Sequence, residues 1–336
     1  MNPVLVEVTR GTQVESLHRG AIAVCDAAGK LVAAWGDVEA AIFPRSAFKS
    51  LQALPLIETG AAAAFRVTDD ELALACASHS GEAMHVERVT AWLERIDCVD
   101  GDLACGPHLP ISEPAAHAML RAGERPCRIH NNCSGKHTGF LTVARHMHIA
   151  VDGYERPDHP VQVLVREAIA SLCDLKPGDL PIGIDGCAAP NYALPLARLA
   201  RAMARLGDTA SLGQARANAA HRLIAAWKAH PLLVSGTGRA CADMIAGARG
   251  RAVVKTGAEG VFVAVLPDQG LGIALKIDDG ATRAAETAMA KVLTLLGAAD
   301  EEAPAIAKHT RPSVRNWRGD IVGERRTTAS LARLPD

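Results

Sequence analysis

Segments with the character of β-strands lie near both ends of this chain of 336 residues, and the stretch between them has helical patterns. The strand-like segments are rich in Val, Ala and Ile and cover residues 4–9, 20–26, 30–36, 252–255, 261–266 and 272–277. Turn signals join two pairs of them, at Asp26-Ala27-Ala28-Gly29 and at Pro267-Asp268-Gln269-Gly270. Because strands must pair to satisfy their backbone groups, we predict one antiparallel sheet built from both terminal regions.

Between these ends, apolar residues recur at helical spacing. The predicted helices cover residues 46–58, 83–96, 113–122, 161–172, 193–206 and 209–229. Pro55 should end or kink the first of them near Leu54. After a further helix over 281–296, residues 298–312 look loosely ordered and residues 316–325 should add an edge strand.

These elements predict an α/β fold of the α+β kind, in which a helical lobe is inserted into an antiparallel sheet. The sheet lobe should cover about 1–45 and 250–336 and the helical lobe about 46–249, within a single domain over 1–336. A hydrophobic content of 49% is ample for a core of that size.

Charge and composition exclude several classes of protein. Lys plus Arg number 36 against 37 for Asp plus Glu, so no basic excess favours a nucleic-acid partner. Glu7 and Arg10 interrupt the amino terminus before an export signal could form, and no apolar run approaches the roughly 18 residues of a membrane span. We therefore expect a soluble cytoplasmic protein, whose nine cysteines are reduced and available in part as metal ligands.

One short motif carries the chemistry, the sequence Ser46-x-x-Lys49 at the start of the first predicted helix. A serine alkoxide is inaccessible at neutral pH without a base, and a lysine serves as that base only when its pKa falls from about 10.4. Lys255-Thr256-Gly257 supplies a second lysine, and two converging ammonium groups lower each other's pKa. Alone, Ser46 could be a helix cap and Lys49 a solvated side chain, but the later motif favours a nucleophile and its base.

The two motifs match signatures of serine β-lactamases and penicillin-binding proteins. The middle signature of those enzymes, Ser-Asp-Asn, is missing, and Ser78-His79-Ser80 is the nearest equivalent. An ordinary β-lactamase or transpeptidase is therefore disfavoured.

The whole set of polar segments instead resembles the asparaginase II family, the Rhizobium-type or thermolabile L-asparaginases. The segments that carry the resemblance are Pro44-Arg45-Ser46-Ala47-Phe48-Lys49, Ala77-Ser78-His79-Ser80-Gly81-Glu82, Asn132-Cys133-Ser134-Gly135-Lys136-His137, Asp185-Gly186-Cys187 and Lys255-Thr256-Gly257-Ala258-Glu259-Gly260. The family is similar in fold to serine β-lactamases and glutaminases, so the resemblance implies that fold for a single catalytic domain. It also implies a homodimer.

The resemblance further implies roles for individual residues in hydrolysis of L-asparagine to L-aspartate and ammonia. Ser46 would attack the side-chain amide with Lys49 as its base, while Ser78 and Lys255 would form a second serine and lysine pair. It implies that Arg45 binds the substrate carboxylate. It also implies that three further residues make polar contacts to the substrate, namely Glu82, Asn132 and His137. The order of attack stays open between Ser46 and Ser78, with Ser46 favoured.

The family's zinc site would fall on Cys133, Lys136, Asp185 and Cys187. Read without the resemblance, two thiolates and one carboxylate are a tetrahedral zinc set that needs one more ligand. Lysine is an unusual fourth ligand because it must lose a proton, and His137 or a water would be the ordinary choice. Two buried free cysteines without metal are the other interpretation of the same residues.

Three further functions compete with an asparaginase. The first is a β-lactamase-like or penicillin-binding serine hydrolase. The second is a glutaminase, because one methylene of substrate is worth only about 1–3 kcal/mol in a pocket. The third is a catalytically silent metal-binding or regulatory protein, which the intact serines and lysines disfavour.

Overall fold

The structure, a computed structural model, describes residues 1–335. Its strands are β1 (Val4–Arg10), β2 (Gln13–Asp26), β3 (Leu31–Trp35), β4 (Ala41–Ile42), β5 (Ile182–Ile184), β6 (Pro190–Tyr192), β7 (Leu194–Pro195), β8 (Val253–Gly257), β9 (Val261–Leu266), β10 (Leu271–Ile277), β11 (Ser313–Arg315) and β12 (Ile321–Thr327).

The helices are α1 (Lys49–Gln52), α2 (Leu54–Glu58), α3 (Ala61–Ala64), α4 (Asp69–Ala75), α5 (Ala83–Arg95), α6 (Glu113–Arg121), α7 (Ser134–His146), α8 (Pro160–Cys173), α9 (Leu196–Gly207), α10 (Gln214–Ala229), α11 (Pro231–Val234), α12 (Ala240–Ala248), α13 (Thr282–Leu295) and α14 (Pro304–Thr310). Within the described residues, no helix is both long and apolar enough to cross a membrane.

The chain forms two units. Unit 1 contains Met1–Ala47, Leu194–Ser211 and the residues from Asp243 onward, and unit 2 contains Phe48–Ala193 and Leu212–Ala242. The predicted arrangement as one catalytic domain with a sheet lobe and a helical lobe stays a prediction.

The main sheet of unit 1 has the strand order β11-β12-β1-β2-β10-β9-β8, with β3 also paired to β2. All of these pairings are antiparallel, and strands from the two ends of the chain meet at the β1–β12 and β2–β10 pairs. Helices α9 and α13 both pack on the sheet, and every residue of β9 is buried. The mixed fold with an antiparallel sheet from both terminal regions is therefore confirmed.

Unit 2 is built around α7, which contacts α2, α3, α4, α5 and α8. Eleven consecutive residues of this helix, Ser134 to Ala144, are buried. Gly135 permits the closest approach, because a Cβ there would lie 2.5 Å from the carbonyl oxygen of Leu74 in α4. As a result, the polar first turn of α7 lies against the end of α4, three residues before Ser78.

Three predicted elements differ from the structure. The helix predicted over 46–58 begins as a 3₁₀ turn over Arg45–Phe48 and then divides into α1 and α2, because Pro55 starts a new helical turn. Residues 298–312 are not loosely ordered but contain α14, where Ile306 is fully buried. The strand predicted over 316–325 is β12, which is not an edge strand because β11 pairs with its outer side.

Candidate active site

The amine of Lys49 is the centre of a buried polar cluster in unit 2. The side chain is only 1% exposed at the start of α1. Its Nζ contacts three acceptors, the carbonyl oxygen of Ala77 at 2.5 Å, Ser78 Oγ at 3.0 Å and Cys133 Sγ at 3.1 Å. An amine this close to a serine hydroxyl can exchange a proton with it.

The Ser78 segment is held from two sides. Its backbone N–H donates to the carbonyl oxygen of Val234 at 3.0 Å, and the next N–H, of His79, donates to Asn132 at 3.1 Å. Ser80 Oγ donates to the carbonyl oxygen of Ser235 at 2.9 Å. These contacts fix the Ser78 hydroxyl before any ligand binds.

Two stacked imidazoles lie behind Ser78. The rings of His79 and His85 are 5.0 Å apart and nearly parallel. Burial holds the pKa of His79 well below its ordinary value and also lowers the pKa of His85. Since Nδ1 of His79 accepts from the N–H of Gly81, its Nε2 carries the proton and donates to Ser134 Oγ at 2.8 Å. Both rings are neutral supports of the segment.

Ser46 lies in unit 1, in the 3₁₀ turn whose first residue, Arg45, is in the left-handed region. Arg45 has a φ of 54°, which is unusual for a residue with a side chain. The turn lies against β8, because a Cβ on Gly257 would be 2.5 Å from the carbonyl oxygen of Pro44 and 3.0 Å from the Ala47 nitrogen. On the same strand Lys255 is fully buried, and its Nζ donates to the carbonyl oxygen of Thr256 at 2.7 Å. The Ser46 turn and the Lys255-Thr256-Gly257 segment are therefore adjacent in unit 1.

A second cluster in unit 2 contains Cys133, Cys187 and Lys136, all of them buried. Lys136 Nζ donates to Cys187 Sγ at 3.0 Å. Interaction with Cys133 and the neighbouring Lys136 lower the pKa of Cys187, while burial acts in the opposite direction. Interaction with Cys187, together with burial, raises the pKa of Cys133. Of the two sulfurs, Cys187 therefore loses its proton more readily.

Lys136 lies where its ammonium group can neutralise a thiolate on Cys187. Burial alone would lower its pKa, but the neighbouring charges on Cys187 and Cys133 raise it above its ordinary value. Asp185 adds to this effect from the loop that carries Cys187. The carboxylate of Asp185 also accepts a hydrogen bond from the N–H of Gly186 at 2.7 Å.

The chemistry of this cluster can be compared with that of a zinc site. Across residues 1–335, no group of three or more His, Cys, Asp or Glu side chains is arranged to hold a metal ion. The cluster offers three neighbouring donor atoms only when the nitrogen of Lys136 is counted with the sulfurs of Cys133 and Cys187. Donor atoms on a tetrahedral zinc ion are about 3.5 Å apart, close to the 3.0 Å between Lys136 Nζ and Cys187 Sγ. The donors therefore fit zinc on the condition that Lys136 gives up its proton.

His137 is fully buried and bonded to a tyrosine. Its Nδ1 lies 2.6 Å from the hydroxyl of Tyr154, and that hydroxyl accepts from the N–H of Ala104 at 2.8 Å. Burial lowers the pKa of His137, and the nearby Cys187 acts against this. The ring bonds to Tyr154 through Nδ1, while its buried Nε2 has no hydrogen-bond partner among the described residues.

The other predicted substrate contacts have partners within unit 2. Both carboxylate oxygens of Glu82 accept from Thr237, one from its N–H at 2.9 Å and one from its hydroxyl at 2.7 Å. Asn132 Oδ1 lies 3.3 Å from Cys133 Sγ, and its backbone N–H donates to His108 at 2.9 Å. Their roles toward substrate, like that of Arg45, stay predictions.

Sequence reasoning missed Arg239. This half-buried side chain donates from Nη1 to the carbonyl oxygen of Ser78 at 3.3 Å. The only signal in the sequence is its position directly after Ser235-Gly236-Thr237-Gly238, a break between helices with no chemical side chain besides hydroxyls.

The sequence matches the L-asparaginase II family over residues 6–327. The chain belongs to the L-asparaginase II family. The predicted resemblance is confirmed, and this family member is an asparaginase-type amidohydrolase.

The solved structures that are similar to this one include two described as beta-lactamases. One is a beta-lactamase from Mycobacterium bovis, with 15% identity and a TM-score of 0.40, covering 80% of this chain and 89% of the other. The second is a candidate beta-lactamase from Bacteroides dorei, with 11% identity and a TM-score of 0.43, covering 77% and 84%. No curated protein matches the sequence.

Proposed function

We propose that this family member hydrolyses L-asparagine to L-aspartate and ammonia through a covalent acyl-serine intermediate. The observation that carries the acyl-serine chemistry is the buried amine of Lys49, three residues after Ser46 and 3.0 Å from the hydroxyl of Ser78, in a chain of the L-asparaginase II family. A buried lysine next to a hydroxyl is the base that serine needs in the absence of a histidine partner.

In the first half-reaction, Ser46 Oγ attacks the side-chain amide carbon of L-asparagine. Lys49 takes the hydroxyl proton and passes it to the leaving nitrogen, so that the C–N bond breaks and ammonia departs. Water then attacks the β-aspartyl ester, the C–O bond to Ser46 breaks, and the serine recovers its proton. Ser78 and Lys255 serve as the second serine and lysine pair, and Arg45 holds the substrate carboxylate.

The contact between Lys49 and Ser78 favours a second candidate, attack by Ser78 itself. Ammonia release by Ser46→Ala and Ser78→Ala variants tests both, with acid quench and peptide mass spectrometry to locate the aspartyl ester. We expect the ester on Ser46 and no turnover in Ser46→Ala. Unimpaired turnover in that variant would exclude Ser46 as the nucleophile, and an ester on Ser78 would establish the second candidate.

We also propose that Cys133, Cys187, Lys136 and Asp185 hold one zinc ion per subunit. Bound zinc would supply a Lewis acid that orients a substrate oxygen. In that state the chain's own contribution is to keep both cysteines as thiolates and to release the Lys136 proton. Elemental analysis of purified protein tests this, and a fully active, metal-free protein would exclude zinc from the reaction.

Three side-by-side assays separate the competing activities. Ammonia release from L-asparagine and from L-glutamine measures the asparaginase and glutaminase reactions, and nitrocefin turnover reports a β-lactamase. We expect L-asparagine to be the preferred substrate. We propose a homodimer as well, which native mass measurement would test.

A further inference from the structure

Arg239 has the features of an anion-binding residue. It is half-buried, and the one hydrogen bond it makes with its side chain in the described part of the chain goes to a neutral carbonyl oxygen, that of Ser78, at 3.3 Å. A guanidinium has five N–H donors, so most of its donors have no protein acceptor there. Partly desolvated arginines are usually paired with carboxylates, because desolvation of the charge is otherwise uncompensated.

The carboxylate that is bonded to the loop of Arg239 does not serve as its partner. Glu82 is bonded through both oxygens to Thr237, two residues before Arg239. Those bonds fasten the loop to the Ser78 segment, and no carboxylate among the described residues pairs with the Arg239 guanidinium.

The loop that carries Arg239 is held rigidly in place. Gly236 has a φ of 138°, which residues with a Cβ rarely adopt, and a Cβ there would collide with Ser80 and lie 2.7 Å from Glu82 Oε1. Ser80 Oγ bonds to the carbonyl oxygen of Ser235, and the Arg239 N–H bonds back to Gly236 at 3.4 Å. The guanidinium is thereby positioned before a ligand arrives, which lowers the entropic cost of binding.

We propose that Arg239 binds the α-carboxylate of the amino-acid substrate. The inference rests on the proposed hydrolysis of L-asparagine, whose reacting amide must lie at the serine and lysine groups while its carboxylate lies a few bonds away. The same Ser78 residue contacts Lys49 through its hydroxyl and Arg239 through its carbonyl oxygen. A planar guanidinium grips a carboxylate through two parallel hydrogen bonds, which a lysine cannot do. The resemblance gives the same role to Arg45, and Arg239 is a further candidate for it.

The test compares substrates with and without the α-carboxylate. In Arg239→Gln, we expect KM for L-asparagine to rise at least about 10-fold, the usual loss for a hydrogen bond to a charged group, with kcat little changed. KM for L-asparaginamide, in which the carboxylate is replaced by a neutral amide, should stay within about 3-fold. Arg239→Lys keeps the charge without the bidentate geometry, so its KM for L-asparagine should lie between those of the wild type and Arg239→Gln.

Arg222→Gln is the matched control, because this arginine of unit 2 already pairs with Asp69 at 3.5 Å and should leave both KM values unchanged. A merely structural role for Arg239, in which it orients Ser78, predicts instead a loss of kcat on both substrates, and that result would overturn the proposal. Calorimetric binding of L-aspartate gives a readout independent of turnover. If the wild type binds L-aspartate without hydrolysing L-asparagine, the proposed function fails, while weaker binding by Arg239→Gln would still support the carboxylate site.

Discussion

Substitution of one glycine should displace the turn that carries Ser46, the proposed nucleophile, while leaving the fold in place. Gly257 lies on β8 against the turn that carries Ser46, and a Cβ there would be 2.5 Å from the carbonyl oxygen of Pro44. The new methyl group would also lie 3.2 Å from the Cβ of Ala47. Because two of the three nearest atoms belong to the backbone, no side-chain rotation can relieve the clash.

The size of the effect follows from the displacement that Gly257→Ala requires. Ordinary van der Waals contact begins at 3.4 Å, so the Pro44 carbonyl must move by about 0.9 Å from its 2.5 Å position. A displacement of about 1 Å in a reacting group costs about 100-fold in rate. We expect kcat for L-asparagine to fall by about that factor, and overpacking to cost about 1–3 kcal/mol of unfolding free energy.

Steady-state ammonia release and urea unfolding measure the two quantities for Gly257→Ala. The control is Gly213→Ala, since a Cβ on Gly213 meets nothing within 4 Å and its φ is −63°. The control should keep its kcat. A kcat for Gly257→Ala within a few-fold of wild type, in a protein that is folded, would refute the idea that this glycine positions the Ser46 turn.

Three other predictions concern unit 2. Lys49→Met should lower kcat by about 100- to 10,000-fold, the range for loss of a general base, and rates near wild type would contradict its role. Burial keeps His79 and His85 neutral with pKa values below the ordinary 6.5, so stability is full above about pH 6.5 and declines below it by up to about 1.4 kcal/mol per pH unit for each histidine. A urea midpoint that does not change between pH 7.5 and 5 would contradict this. Cys187→Ser should destabilise the fold by leaving buried Lys136 without its thiolate and should lower the zinc content measured by elemental analysis, whereas unchanged zinc would exclude Cys187 as a ligand.

Local patterns were sufficient for most of the fold. Alternating and continuous apolar runs predicted β1, β9 and β10 and the long helices, because burial of one face depends on the spacing of nearby residues. The prediction failed at α14, a seven-residue helix that contacts α13 and in which Ile306 is buried. Short helices carry too few periods for sequence patterns to reveal them, and their stability comes from tertiary contacts.

The candidate site divides in the same way. The motifs around Ser46, Lys49, Cys133 and Lys136 are readable in the sequence, because the chemistry of a nucleophile, a base or a ligand belongs to the residue type. The tertiary structure decided which groups meet, and it brought Lys49 to Ser78 across 29 residues and Lys136 to Cys187 across 51.

The physical reason is that such pairings depend on how closely backbone segments approach. Gly135 allows α7 to approach α4 closely, and Gly257 allows the Ser46 turn to approach β8. Gly236 allows the Arg239 loop to approach Ser80 in the same way. The sequence alone determined which reactive groups the protein possesses. Only the tertiary structure decided their distances, their burial and the direction of their pKa shifts, because each of these is a property of neighbours far away in the chain.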